Sequence, residues 1–190
     1  MKKTVLFAGT CIAALLFQAC SGEKDPKPTG LPGDNLDLYA VLDLFKSSAS
    51  IEQFEKSLND KSTGINNIDL NGDGKVDYIR VVDLGDGDAH AITLRVPVNE
   101  SEEQDIAVIE IEKSGENTAS VQVVGDEDIY GQAVIIEPKE ESAKAGFIYT
   151  TEVGVNVWGW PTVAYVYSPS YVVWESPYYY DYYPVYWTPW

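Results

Sequence analysis

One nine-residue stretch, residues 69–77, carries oxygen-bearing side chains at intervals that suit a hard cation. It reads Asp-Leu-Asn-Gly-Asp-Gly-Lys-Val-Asp, so oxygen donors fall at its first, third, fifth and ninth positions, with a glycine at the sixth for a sharp turn. Ca²⁺ takes about six to eight oxygen ligands, from carboxylates, amides and backbone carbonyls. The spacing predicts a calcium site formed by the side chains of Asp69, Asn71, Asp73 and Asp77 and the backbone carbonyl of Lys75.

The first nine positions of this loop resemble the calcium loops of EF-hand and dockerin proteins. Those families place an acidic ligand at the twelfth position, where this chain has Arg80, and EF-hands continue into a helix. Residues 78–82, Tyr-Ile-Arg-Val-Val, favour a strand instead. The loop is therefore more similar to the Asp-x-Asn-x-Asp-Gly-x-x-Asp sites that precede strands in calcium-binding β-propeller repeats. These resemblances imply a structural calcium ion at a junction between a helix and the sheet.

A plain turn rich in Asp, Asn and Gly, which only starts a strand, is the alternative for this stretch. Three carboxylates within nine residues repel one another unless a cation lies among them, so their spacing favours calcium. Asp83, Asp86 and Asp88 follow closely and could add a ligand, although turn formation explains them more simply.

The N-terminus has the anatomy of a secretory signal peptide. Lys2 and Lys3 precede an uncharged apolar run over residues 5–17 that ends beside a cysteine. This run is shorter than the roughly 20 apolar residues that a membrane-spanning helix needs. Residues 16–20, Leu-Phe-Gln-Ala-Cys, resemble the lipobox of bacterial lipoproteins, which implies removal of residues 1–19 and acylation of Cys20. An ordinary signal peptide with a chance cysteine is the alternative.

Residues 20–33 are predicted to be the lipidated cysteine and a flexible tether, because they are rich in Pro, Gly and charge and lack apolar periodicity. The lipobox resemblance implies an outer-membrane lipoprotein that faces either the periplasm or the cell surface. Glu23 and Asp25 are similar to a surface-export signal of some Gram-negative bacteria, and a soluble linker explains them as well.

The charge balance excludes one class of partner. The chain has a net charge of −17, which becomes −19 once Lys2 and Lys3 leave with the signal peptide. Nucleic acid is not an expected partner, because phosphate binding needs a basic face.

Residues suited to other chemistry are few. His90 is the only histidine, Cys11 lies within the signal peptide and Cys20 would carry lipid, so neither a Cys/His zinc site nor a nucleophilic triad is predicted. Paired acids could serve a glycosidase if they lay about 5 to 10 Å apart in a cleft. The pairs are Glu102 with Glu103, Glu110 with Glu112, and Glu140 with Glu141, all typical of solvated strand faces or turns.

Residues 146–190 differ sharply in composition from the rest of the chain. All five tryptophans and most of the tyrosines lie here, without any lysine or arginine. Alternation at residues 153–157 and 163–167 predicts a hairpin or extended arms, and prolines beyond residue 176 predict extended or partly disordered chain. Exposed rings stack on sugars or anchor protein partners, whereas packing on the sheet is the alternative. The candidates for ligand stacking are Trp158, Trp160, Trp174, Trp187 and Trp190.

Residues 34–145 predict an α+β domain. Helical periodicity begins near residue 35, with Asp34 or Asn35 as the N-cap, and a second helix at residues 51–58 has Ser50 and Gln53 at capping-box spacing. Four alternating runs follow at residues 78–84, 91–98, 106–112 and 119–124. Helices followed by strands favour two short helices packed on an antiparallel β-meander.

Taken together, these patterns predict a membrane-anchored envelope lipoprotein of an uncharacterised family that acts as a non-enzymatic, calcium-stabilised binding module. Its expected partners are the membrane, through the lipid anchor, and a glycan or an envelope protein. Two alternatives stay open: a carboxylate-based glycan hydrolase, and a structural subunit of an envelope assembly.

Overall fold

The computed structural model describes residues 28–139 and 154–190, and the predicted α+β architecture is confirmed within these ranges. An antiparallel sheet has the strand order β1-β2-β3-β4-β5, so each strand pairs with the next one in sequence. The strands are β1 (Arg80–Asp83), β2 (Ala89–Asn99), β3 (Glu102–Gly115), β4 (Thr118–Gly125) and β5 (Val134–Ile136). The helices of the same ranges are α1 (Leu38–Ser47), α2 (Ile51–Leu58), α3 (Glu127–Tyr130) and α4 (Pro161–Val166).

The first helix begins later than the sequence pattern indicates. Its N-cap is Asp37, whose carboxylate accepts hydrogen bonds from the amides of Tyr39 and Ala40. The prediction of Asp34 or Asn35 as the cap is wrong, because both residues belong to a preceding 3-10 turn, Pro32–Asn35. The apolar periodicity that suggested a longer helix therefore begins in the residues around this short turn, before the helix starts at Leu38.

The second helix has the predicted bounds and the predicted cap. Ser50 Oγ accepts from the Gln53 amide at 3.1 Å, and the Gln53 side chain accepts from the Ala49 amide at 3.0 Å. This reciprocal arrangement satisfies two amides that would otherwise lack partners at the helix start. Phe54 then meets Phe45 of α1 edge-on, with ring centroids 5.3 Å apart. The cap and this contact fix the angle between the two helices.

Alternation along the strands gives the sheet one fully buried face. The register pairs Val81 with Leu94 and Ile92 with Ile109, so apolar side chains of neighbouring strands lie side by side. All four are 0% exposed. Helices α1 and α2 pack against this face and complete the core. Each such side chain contributes about 1.5–3 kcal/mol through burial, which holds the helices on the sheet.

Helix α4 comes from the aromatic segment, where the sequence predicted strands. The alternation at residues 163–167 was a misleading signal, and the prediction of a hairpin or extended arm there is wrong: Pro161–Val166 is α4. Pro161 occupies the first turn, where a missing amide hydrogen costs nothing. Thr162 is buried and its hydroxyl lies 2.6 Å from the Phe45 carbonyl and 2.5 Å from the Ser48 carbonyl, at the end of α1. Packing against α1 therefore decides the conformation.

Candidate functional site

The calcium-type loop, residues 69–77, joins the helical part of the domain to β1. Each of its first three acidic or amide side chains closes a local turn: Asp69 accepts from two glycine amides at 2.8 and 2.9 Å, Asn71 Oδ1 accepts from the Asp73 amide at 2.9 Å, and Asp73 Oδ1 accepts from the Lys75 amide at 2.8 Å. The glycines have φ of 73° and 79°, the left-handed region that favours glycine. Side chain and backbone therefore determine the loop together.

Asp77 lies at the base of this loop and is largely buried. Its carboxylate accepts from the Leu70 amide at 2.7 Å and from the Asn71 side-chain amide at 2.8 Å. Burial raises the pKa of Asp77; the two backbone hydrogen bonds oppose this shift, and the negative charges of Asp69 and Asp73 add to it. The loop thus gathers negative charge around a carboxylate that has lost much of its water.

The five predicted ligands share this one loop, but their carboxylates point to different backbone donors. Within residues 28–139 and 154–190, no three His, Cys, Asp or Glu side chains are grouped as a metal would require. Calcium binding accordingly stays a prediction, made from the spacing of Asp69, Asn71, Asp73, Lys75 and Asp77.

The loop also contacts the far end of the chain. The Val76 amide donates to the Trp190 carbonyl at 2.9 Å. The next residue after the loop, Tyr78, packs edge-on against Trp187 at a centroid distance of 5.1 Å. We call the described part of the aromatic segment, residues 154–190, the aromatic arm. The loop and the end of this arm are therefore in direct contact.

A buried carboxylate from α2 fixes the arm to the domain. Glu55 is 1% exposed and accepts hydrogen bonds from the hydroxyls of Tyr78 and Ser176 at 2.8 and 2.6 Å and from the Trp174 indole at 2.9 Å. Burial raises the pKa of Glu55, while these hydrogen bonds act in the opposite direction. Glu55 lies one turn from both Ile51 and Leu58, on the apolar stripe of the helix. A charged residue on that stripe is the sequence feature that could have indicated a buried polar contact here.

Backbone pairing reinforces that attachment at the open edge of β1. The Asp83 amide donates to the Trp174 carbonyl at 2.8 Å, and the Ser176 amide donates to the Val81 carbonyl at 3.1 Å. Arg80 donates from Nη2 to the Ser176 carbonyl at 3.0 Å. The arm therefore covers an edge strand that would otherwise expose unpaired amides and carbonyls.

The end of the arm is packed, whereas the sequence predicted extended or partly disordered chain beyond residue 176. Trp187 is 6% exposed and its ring lies 4.6 Å from that of Tyr183. Tyr178 meets Tyr78 edge-on at 5.5 Å. Aromatic contacts of this kind add stability beyond that gained from the area they bury, so the prolines in the segment do not keep it extended.

The only histidine of the chain forms part of a buried polar cluster. His90 Nδ1 lies 2.8 Å from Asp83 Oδ2, and the Tyr171 hydroxyl donates to the same oxygen at 2.6 Å. The second oxygen of Asp83 is buried without a partner among the described residues. Burial raises the pKa of Tyr171, as does its hydrogen bond to Asp83. Asp83 is therefore a structural group that joins strand and arm, not the turn-forming residue that the sequence suggested.

The five tryptophans predicted to stack on a ligand do not form one group. Trp187 and Trp190 meet edge-on with ring centroids 6.0 Å apart, and the other three lie elsewhere along the arm. Trp158 stacks on Tyr167 with centroids 5.6 Å apart, and Trp174 donates to Glu55. Trp187 is the most buried of them. The structure does not bring them together into one platform. Their contacts are Trp158 with Tyr167, Trp160 with Lys46, Trp174 with Glu55, Trp187 with Tyr78, and Trp190 with Trp187.

Of the acidic pairs considered for glycan hydrolysis, Glu110 and Glu112 are exposed on the sheet face opposite the helices. Glu103 is paired with Arg80 and Arg95, and Glu102 accepts from Asn99. Glu140 and Glu141 lie outside the described residues, as do the predicted signal peptide, Cys20 and the start of the predicted tether.

No helix among residues 28–139 and 154–190 combines the length and apolarity needed to cross a membrane. No family model, curated protein or solved structure matches this chain.

Proposed function

We propose that this chain is a membrane-anchored envelope lipoprotein that works as a non-enzymatic, calcium-stabilised interaction module. Acylated Cys20 anchors it to the outer membrane, the loop at residues 69–77 holds one Ca²⁺ ion, and the aromatic arm contacts a glycan or an envelope protein. The two partners of the molecule are thus the membrane at its N-terminus and an envelope component at its C-terminal surface.

One observation carries this proposal: the arm presents large apolar side chains to solvent although it is firmly fixed to the domain. Tyr179, Tyr182 and Tyr186 are 56%, 52% and 50% exposed, and Val185 is fully exposed. Glu55 holds the other side of the arm through buried hydrogen bonds. A surface that is already ordered loses little entropy on binding, and exposed tyrosines supply contact area with few rotatable bonds.

Support for a non-enzymatic role comes from Glu55, the buried carboxylate that holds the arm. Burial raises the pKa of Glu55, as catalysis by a general acid would require, but the group is 1% exposed and its acceptor positions are occupied. A substrate has no access to it. Its environment suits a structural anchor.

Support for calcium comes from the local geometry of the loop. Asp69, Asn71 and Asp73 use their side-chain oxygens for one or two backbone hydrogen bonds, which orient the oxygens and leave further lone pairs for a cation. The cation would also relieve the repulsion that helps to raise the pKa of Asp77. When bound, calcium neutralises the loop and clamps it beside β1.

Calcium binding is tested by calorimetric titration and thermal unfolding of soluble protein that begins at Ser21. We expect saturable binding to one site and a stabilisation of about 2.7 kcal/mol at a calcium concentration 100 times Kd. Asp73→Ala should abolish both effects, and Asp43→Ala, which removes an exposed carboxylate from α1, should abolish neither. Absence of heat and of a shift at millimolar calcium would remove calcium from the proposal.

The binding role is tested with the exposed residues of the arm, because deletion of the arm would strip Glu55 of its partners and uncover β1. A variant with Val185→Ser and Tyr186→Ser is compared with wild type for binding to a panel of envelope polysaccharides and to purified outer-membrane proteins. Selective binding by wild type that the variant lacks, at unchanged melting temperature, supports the arm as the contact surface. Equal binding by both proteins contradicts it.

Anchoring is tested by mass spectrometry of the protein isolated from membranes. Acylation predicts a mature N-terminus at Cys20 with attached fatty acids, and Cys20→Ser should yield unacylated protein. An unmodified mature N-terminus in wild type would contradict the anchor and leave the other two parts of the proposal to be judged by their own tests.

A further inference from the structure

A second feature of the arm is an open cleft on the side of the sheet where β2 turns into β3. Its volume is about 680 Å³. One wall is the β2–β3 turn, residues 97–103, and the other is the tip of the arm, residues 179–182. None of the five tryptophans lines it, so it is distinct from the stacking residues predicted from the sequence.

The arm forms its wall with a tight turn that presents two stacked rings. Tyr179 and Tyr182 exchange backbone hydrogen bonds of 3.1 and 2.9 Å, and their rings stack at 4.7 Å with an interplanar angle of 20°. Asp181, between them, has φ of 59° and is the sole non-glycine residue with positive φ in the described chain. Aspartate adopts this left-handed region more readily than most residues with a side chain, which suits it to the tight turn. The two rings are 56% and 52% exposed.

Both walls of the cleft carry negative charge. Four carboxylates line the cleft, from Glu100, Glu102, Glu103 and Asp181, and no lysine or arginine among the described residues does. Glu103 already pairs with arginines outside the cleft, and Glu102 accepts from Asn99. Within residues 28–139 and 154–190, no hydrogen bond or ion pair engages the carboxylates of Glu100 and Asp181. The cleft therefore has two free anionic groups beside a stacked pair of tyrosine rings, each about half exposed.

Elsewhere in the described chain, several aromatic rings that are exposed or partly exposed lie beside a lysine. Five of the six described lysines place their ammonium group 5.0 to 5.9 Å from the centre of an aromatic ring. No such lysine approaches Tyr179 or Tyr182 in the described chain. The lysine–ring pairs are Lys46 with Trp160, Lys56 with Tyr186, Lys61 with Trp190, Lys113 with Trp158, and Lys139 with Tyr39.

We propose that the cleft between Glu100 and the Tyr179–Tyr182 turn binds an organic cation, a guanidinium or alkylammonium group. The negative face of each tyrosine ring attracts a cation, and the carboxylates of Glu100 and Asp181 neutralise it. A neutral sugar would use the rings but gain nothing from the charges, and an anion would be repelled. This inference rests on the proposed function, since it names the chemical group that the arm takes from its partner.

The cation has two sources with the same chemistry: a basic side chain of a protein, or a small free molecule. N-acetylargininamide stands for the first and choline for the second. Each is titrated into the full chain in neutral detergent, at low and high salt, while the tyrosine ring signals are followed by nuclear magnetic resonance. N-acetylglutaminamide, which lacks the charge, is the control probe.

Saturable shifts of the Tyr179 and Tyr182 signals with a cationic probe, weaker at high salt and absent with the neutral probe, are the expected result. Tyr182→Leu should weaken binding about fivefold or more, because it removes a ring face. The double change Glu100→Gln and Asp181→Asn should weaken it similarly and flatten the salt dependence; asparagine tolerates the positive φ. A stronger response to N-acetylargininamide identifies a protein side chain as the source, and a stronger response to choline identifies a small molecule.

Two matched controls guard against general effects of lost rings or charges. Tyr39→Leu removes a tyrosine that is 50% exposed on α1, and Glu116→Gln removes an exposed acid from the β3–β4 turn at the other end of the sheet. Neither should change binding. Failure of both cationic probes to shift the ring signals of the folded protein overturns the cleft proposal. Envelope binding that depends on Val185 and Tyr186 would then still support the wider function, so the two failures are distinguishable.

Discussion

Glu55 offers the sharpest test of how the arm is held, because two substitutions of similar size should differ clearly in their effect on stability. Its carboxylate accepts from Tyr78 just before β1, from the Val81 amide in β1 at 3.3 Å, and from Trp174 and Ser176 in the arm. In Glu55→Gln the amide oxygen accepts from the indole, and the two hydroxyls rotate to accept from the amide nitrogen. In Glu55→Leu the same donors face an apolar group.

The magnitude follows from the groups left without partners. The buried hydroxyls of Tyr78 and Ser176 each lose an acceptor at a cost of about 1–3 kcal/mol. The Val81 amide, whose hydrogen bond is long at 3.3 Å, and the half-buried indole, which water reaches, lose less. Leucine also removes the cost of burying a charge, which offsets about 1–2 kcal/mol of that loss. We therefore expect Glu55→Leu to lower the free energy of unfolding by about 2–4 kcal/mol, and Glu55→Gln to leave it within about 1 kcal/mol of wild type at neutral pH.

The pH dependence has a defined sign. Burial raises the pKa of Glu55 in the folded protein above its ordinary value of 4.5, so the folded state keeps the proton to higher pH than the unfolded state does. Stability should fall as pH rises from about 4.5 through the raised folded pKa, and level off beyond it. Glu55→Gln should lack this part of the slope.

Urea unfolding followed by tryptophan fluorescence measures these differences, with the pH series run on wild type and Glu55→Gln. Because Trp174 contacts the carboxylate directly, its emission should shift to longer wavelength in Glu55→Leu even before unfolding. Equal stability of the leucine and glutamine variants, or parallel pH profiles of wild type and Glu55→Gln, would refute the view that this carboxylate fixes the arm.

Three further predictions concern neighbouring contacts. Gly85→Ala should lower stability by about 1–3 kcal/mol, because a Cβ there would lie 2.2 Å from His90 Nδ1; Gly154→Ala, with no atom within 4 Å, should be neutral, and equal melting temperatures would contradict the crowding. Thr162→Val should cost about 1–2 kcal/mol in denaturant unfolding, since the last carbonyls of α1 lose their donor. Burial raises the pKa of Tyr167 to about 12, so alkaline titration by absorbance should lose a late-titrating phenol in Tyr167→Phe, and an unchanged curve would place the shift elsewhere.

Sequence patterns succeeded where neighbours along the chain decide the structure. The cap of α2 requires only Ser50 and Gln53, three residues apart, and the alternation of β2 requires only its own side chains. The turns within residues 69–77 are equally local, since each side chain bonds an amide two to five residues ahead. Sequence patterns failed at α4, where alternation of Val163, Tyr165 and Tyr167 suggested a strand but packing on α1 gave a helix.

The sequence by itself determined the α+β class, the meander, the two N-terminal helices and the charge-rich loop, because periodicity and turn chemistry act over a few residues. Tertiary structure alone decided how the aromatic arm packs on the domain. Glu55 meets Trp174 and Ser176 from 119 and 121 residues away, and the Tyr179–Tyr182 turn lies against the β2–β3 turn to form the cleft. Contacts over such separations form because buried polar groups must be hydrogen-bonded in the folded chain, and a local sequence pattern does not show which distant residue pairs with which.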